Sequence, residues 1–183
     1  MALSLARISA TALAASMMIG WVATVPSYAA GGGTTNTTVT CKKGKVFDRK
    51  KKKCVKAKKS SGLSDENLFE AGRNLAYLGR YDEALNVLHL ADNKSDPRIL
   101  NFLGYSTRKL GRIEEGLGYY QAAVKADPDY TLVREYMGEA FLQLGQVDKA
   151  REQLNEIANR CGTNCAEYAM LETEINKYVA RLN

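Results

Sequence analysis

From Asp65 to about Asn164 the apolar positions fall into helical stripes, in three rounds. Each round opens with one stripe: Leu68, Ala71, Leu75 and Leu78; then Leu100, Leu103 and Leu110; then Val133, Met137, Phe141 and Leu144. That spacing predicts the buried side of an amphipathic helix. A glycine follows each stripe (Gly79, Gly111, Gly145), where a helix C-terminus needs a turn. A second stripe then begins: Tyr81, Ala84, Leu85, Leu88 and Ala91; Ile113, Leu117, Tyr120 and Val124; Val147, Ala150, Leu154 and Ile157. An earlier glycine (Gly72, Gly104, Gly138) lies seven residues before each turn glycine, and successive copies are 32 and 34 residues apart. Self-similarity at that period is the mark of a helical solenoid. A glycine in mid-helix costs about 1 kcal/mol against alanine. Its recurrence at one place predicts that a neighbouring helix comes close to the backbone there.

The three units span 65–96, 97–130 and 131–164. Residues 165–183 follow as a capping segment, with Tyr168, Leu171, Ile175, Tyr178 and Val179 on one helical face over Ala166–Leu182. Such a helix covers the last unit's apolar side. Ser64 is placed to cap the first helix, and Asp96-Pro97 to open the third. Gly116 and Gly118 weaken the second helix of the middle unit; they mark either close packing or a hinge.

These features together resemble the tetratricopeptide repeat. Large apolar residues Tyr81, Ile113 and Val147 follow the turn glycine, small residues Ala84, Gly116 and Ala150 follow those, and Pro97 and Pro128 stand near the exit turns. The resemblance implies an all-α, right-handed solenoid of three antiparallel helix pairs, and a concave face lined by the first helix of each pair. Helical phase opposite the buried stripe puts Phe69, Arg73, Asn101, Tyr105, Arg108, Glu135 and Glu139 on that face. They line a groove for a protein or peptide, or are ordinary solvated groups. The lining reads basic in the first two units and acidic in the third. It differs from the Lys/Asn clamp with which some members of the family hold a C-terminal carboxylate.

Charge divides the chain. The net is +6, yet residues 41–59 carry eleven Lys/Arg against one Asp, while residues 60–183 carry fourteen against nineteen Asp/Glu. The solenoid is therefore mildly acidic, and the basic character belongs to CKKGKVFDRKKKKC and its flank. Residues 1–29 read as a secretory signal: Arg7, an apolar run from Ile8 to Val25, Pro26, then small residues. Cleavage is expected after Ala29 or Ala30, in a periplasmic or secreted protein; the other reading is an uncleaved anchor. No other segment is apolar enough to cross a membrane. Residues 30–40 form a Gly/Thr-rich leader, and 60–64 a linker.

A secretory signal and four cysteines in two local pairs point to disulfides Cys41–Cys54 and Cys161–Cys165. The first would close a small basic loop and stabilise it by about 3 kcal/mol. The second would bridge the turn made by Gly162 and Asn164. CxxGKVFD…KKKC and the CGTNC ending resemble segments of short secreted tetratricopeptide proteins of Gram-negative bacteria.

Lys42, Lys43, Lys45, Arg49, Lys50, Lys51, Lys52 and Lys53 could hold an anionic lipid or polymer of the cell envelope. The alternative is a solvated arm. Specific nucleic-acid binding is not expected, since Phe47 alone is no stacking platform. The single histidine, His89, reads as a packed mid-helix residue rather than a base. C-x12-C and C-x3-C lack structural zinc spacing. No catalytic set, cofactor motif or metal site is expected, and the chain reads as a non-catalytic interaction scaffold.

Overall fold

The computed structural model describes residues 39–182. The signal 1–29, its cleavage sites and most of the leader 30–40 lie outside the described residues. The first described element is a β-hairpin, β1 (Lys45–Asp48) and β2 (Lys53–Lys56). Seven helices follow among the described residues: α1 (Asp65–Tyr77), α2 (Tyr81–Leu88), α3 (Pro97–Lys109), α4 (Ile113–Ala126), α5 (Thr131–Gln143), α6 (Val147–Cys161) and α7 (Ala166–Leu182). They form three helix pairs and a terminal helix, an all-α solenoid preceded by a disulfide-closed loop. All described residues fall in one compact unit. None of these helices is long and apolar enough to cross a membrane.

Local chemistry sets the helix ends. Ser64 Oγ accepts from the Asn67 amide at 3.3 Å, with Asp65 and Glu66 in the first turn of α1. Asp96 Oδ1 accepts from the Arg98 amide at 2.8 Å, and Pro97 opens α3. The first helix of every pair ends in the same motif. The turn glycine takes a left-handed backbone (φ +74° at Gly79, +86° at Gly111, +71° at Gly145). Its N–H and the next one then close on carbonyls of the last turn, as in Arg80 N to Leu75 O at 2.9 Å and Gln146 N to Phe141 O at 2.8 Å. This is the Schellman arrangement, and it needs glycine because a Cβ is costly at that φ.

The mid-helix glycines admit a partner side chain. A Cβ on Gly104 would stand 2.6 Å from the Tyr120 ring of α4. Gly72 receives Leu88 of α2 in the same way, whereas Gly138 receives Leu171 of α7. The capping helix therefore does for the third pair what the second helix does for the first two. Gly116 packs against the Gly104 carbonyl and Arg108, while Gly118 faces open space, and α4 runs through both without a break. Close packing accounts for Gly116, while nothing packs against Gly118.

Two buried clusters make the core. One joins Val46 of the hairpin to Leu68 and Leu75 of α1, Leu85 and Leu88 of α2, and Ile99, Phe102 and Leu103 of α3. The other runs from Leu100 of α3 through Tyr120, Val133, Met137 and Ile157 to Leu171 and Ile175 of α7. The hairpin is thus part of the core, not a free arm. Its strands pair Lys45 with Lys56, Val46 with Val55, Phe47 with Cys54 and Asp48 with Lys53. Asp48 Oδ1 accepts from the Lys50 and Lys51 amides at 2.9 and 3.0 Å and shapes the turn. Arg49 pairs with Glu70 of α1. The Cys41–Cys54 and Cys161–Cys165 disulfides are both present, each with a Cα separation of 5.9 Å. His89 differs from its expected place: α2 stops at Leu88, so it caps the helix instead of lying within it. It is exposed rather than packed, and partial desolvation foremost, with Lys94 adding, holds its pKa below the usual histidine value.

Candidate binding face

The first helices α1, α3 and α5 carry a continuous run of aromatic rings. Phe69 meets Phe102 with ring centroids 5.9 Å apart, and Phe102 meets Tyr77 at 5.4 Å and Tyr136 at 6.5 Å. Tyr105 lies 4.9 Å from Tyr136 and 6.1 Å from Tyr77. Tyr77, from the end of α1, reaches across α3 until its hydroxyl is 3.3 Å from that of Tyr136 on α5. These rings tie three repeats together. Tyr77 is 55% exposed and Tyr105 half-buried, so the run reaches the surface.

Of the seven residues expected on the open face, Arg73, Tyr105 and Glu139 are half-buried. Phe69 is buried in the core of the first two repeats, under the guanidinium of Arg98 at 4.6 Å and that of Arg73 at 5.4 Å. Asn101, Arg108 and Glu135 are 0%, 2% and 1% exposed, a correction to their expected solvation. The physical reason is that helical phase treats each helix alone, whereas α3 and α5 have neighbours on both sides. Arg108 packs on Gly116, gives Nε to the Tyr120 hydroxyl at 3.3 Å and pairs Nη2 with Glu139 Oε2 at 2.7 Å. The expected basic and acidic ends of the face are thereby joined by an ion pair from repeat two to repeat three.

Asn101 Nδ2 donates to the Tyr130 hydroxyl at 3.4 Å. Burial pushes the Tyr130 phenol up to about 12. Burial foremost, then Glu139 and Glu167, raises the Glu135 carboxyl to about 8, with Arg108 opposing. Asn101 Oδ1, Arg108 Nη1 and Glu135 Oε2 have no hydrogen-bond partner among the described residues. A buried polar atom left unpaired costs about 1–3 kcal/mol. That cost falls inside α3 and α5, since all three atoms are shielded from solvent.

Phe102, Tyr136 and Tyr77 were missed by the phase argument. The signal was present in register: Phe102 and Tyr136 each follow a chosen residue by one, and Tyr77 stands four after Arg73.

The basic positions lie elsewhere. Lys42, Lys43, Lys45, Arg49, Lys50, Lys51, Lys52 and Lys53 are all exposed on the hairpin and its flank. Lys51 pairs with Asp48 at 3.2 Å and Arg49 with Glu70. The bond from the Lys51 amide, foremost, holds the Asp48 carboxyl below its ordinary value.

Two family models described as tetratricopeptide repeat match the chain, one over residues 69–131 and one over 108–175. No curated protein matches it. Solved structures share the fold. One is the Yersinia enterocolitica type III secretion chaperone SycD in complex with a peptide of the translocator YopD, at 21% identity and TM-score 0.53, covering 64% of this chain and 90% of that one. Another is PcrH in complex with the chaperone binding region of PopB, at 25% identity and TM-score 0.53, covering 64% and 98%. A third is the first repeat domain of Spaghetti (RPAP3) bound to the HSP90 peptide SRMEEVD, at 20% identity and TM-score 0.55, covering 65% and 93%.

Proposed function

Because this chain belongs to the tetratricopeptide repeat family, we propose that it is a non-catalytic scaffold that takes a protein or peptide segment on the face of α1, α3 and α5. The observation that carries this reading is the aromatic run from Phe69 to Tyr136, which reaches the surface at Tyr77 and Tyr105. Rigid aromatic side chains give a partner large contact area at little entropic cost, and such residues dominate binding energies at interfaces. The neighbours SycD, PcrH and RPAP3 are each described with a bound peptide or binding region, which favours an elongated partner.

The reading places the protein in the periplasm or outside the cell. Support comes from the signal-like residues 1–29 and from two cysteine pairs, which persist as disulfides in oxidising compartments.

The test is capture from an envelope extract by the chain, by Tyr105→Ala and by Lys125→Ala. Lys125 is exposed on α4, away from the aromatic run. The partner is expected to be lost by more than about tenfold with Tyr105→Ala and retained with Lys125→Ala. Equal retention by both would sink the assignment to this face.

A further inference from the structure

We infer that the Cys41–Cys54 hairpin is a docking surface for a membrane bearing anionic phospholipid headgroups. This goes beyond the aromatic face and does not depend on it.

The strand register decides which side of the hairpin meets solvent. Directly opposed residues share a face, so Val46, Val55, Asp48 and Lys53 form one side, and Lys45, Lys56, Phe47 and Cys54 the other. Val46 and Asp48 are buried, so theirs is the side that packs on the solenoid. The other side presents Lys45 and Lys56 as a cross-strand pair, with Phe47 next along the same face, opposite Cys54. Lys50 to Lys52 project from the turn beside it. Lys42, Lys43, Lys45, Lys50, Lys52 and Lys53 are exposed and form no ion pair among the described residues.

Three features fit this surface to a lipid bilayer. Its cations are held by a disulfide, a β-ladder and the core contact of Val46, so little ordering is needed on docking. Its half-buried Phe47 ring lies among lysines, the combination that sits at the boundary of headgroups and acyl chains. One ring is too few to stack successive bases, which disfavours nucleic acid. The charge is also polar across the molecule: residues 60–183 carry more acids than bases, so an anionic membrane attracts the hairpin and repels the body. The solenoid body then points away from the membrane.

The test is co-sedimentation of the full chain with vesicles of phosphatidylcholine alone, and with vesicles holding about 30% phosphatidylglycerol, at low and high ionic strength. The variants are the triple Lys45→Gln, Lys50→Gln, Lys52→Gln and the single Phe47→Ser. Residues 1–38 are common to all, and the neutral vesicles measure their share. Far-UV circular dichroism checks that each variant keeps its helices.

Anionic vesicles are expected to bind the parent at least tenfold better than neutral ones, with the advantage lost in high salt. At about 1 kcal/mol per lysine, the triple variant should lose roughly 100-fold at low salt. Phe47→Ser should weaken binding to vesicles and leave binding to soluble polyphosphate unchanged. Equal binding to both vesicle types, or an unaffected triple variant, would overturn the proposal. So would a Phe47→Ser variant that binds vesicles and polyphosphate as the parent does, since the surface would then serve any polyanion.

Discussion

Glu135 is 1% exposed on α5, and its carboxyl has company of the wrong sign. Glu139 lies one turn on, Glu167 and Glu174 of α7 add to it, and Arg108 opposes them. Burial, more than these charges, raises its pKa from 4.5 to about 8. The sign of the consequence follows. Between those two values the folded protein holds a proton that the unfolded chain has released. Stability from this group is therefore full below about pH 4.5, falls as pH rises and levels off above about pH 8. Thermal melts across that range should show the fall in the parent and a flatter profile in Glu135→Gln. Equal profiles would mean that Glu135 is not the group that titrates. Sequence phase placed Glu135, Asn101 and Arg108 opposite the buried stripe, yet all three are buried. It could not give their burial, because that depends on α7 and on the neighbouring pair, which no single helix specifies.

At the scale of elements, the repeated helix pair was legible and the hairpin's docking was not. Gly79, Gly111 and Gly145 announce the turns because only a left-handed backbone closes the Schellman bonds there. Gly72, Gly104 and Gly138 announce the tight contacts because a Cβ would collide. The hairpin gives no such signal. Its lysines dominate the composition, while its attachment rests on Val46, buried at 1% exposure where β1 meets α1, and on the Arg49–Glu70 pair. The hairpin thus closes the N-terminal end of the solenoid as α7 closes the other. A fragment 60–183 would bare the apolar site that Val46 fills. Removing a buried valine alone costs about 1.5–3 kcal/mol. The fragment should unfold at a clearly lower urea concentration than a chain that retains the hairpin, and exchange amide protons fastest in α1. An unchanged midpoint would make the hairpin a mere appendage.

The whole molecule is nearly one-dimensional: its N-terminal core contacts its C-terminal core through α3, which gives Ile99, Phe102 and Leu103 to one and Leu100 to the other. In such an array stability is close to a sum of local terms and neighbour contacts, so damage at one end stays near that end. Leu171→Ala tests this. Leu171 is buried on α7 and fills the space that Gly138 leaves on α5. Its truncation should cost about 2–5 kcal/mol, and hydrogen exchange should show protection lost in α5, α6 and α7 but kept in α1 and α2. Uniform loss would instead mean that the solenoid folds as a single unit. The aromatic face runs across the boundary, since Phe69 belongs to the first core and Tyr136 to the second. If fraying is local, Leu171→Ala should also weaken partner capture, although Leu171 itself is buried, because Tyr136 no longer holds its place under Tyr77 and Tyr105.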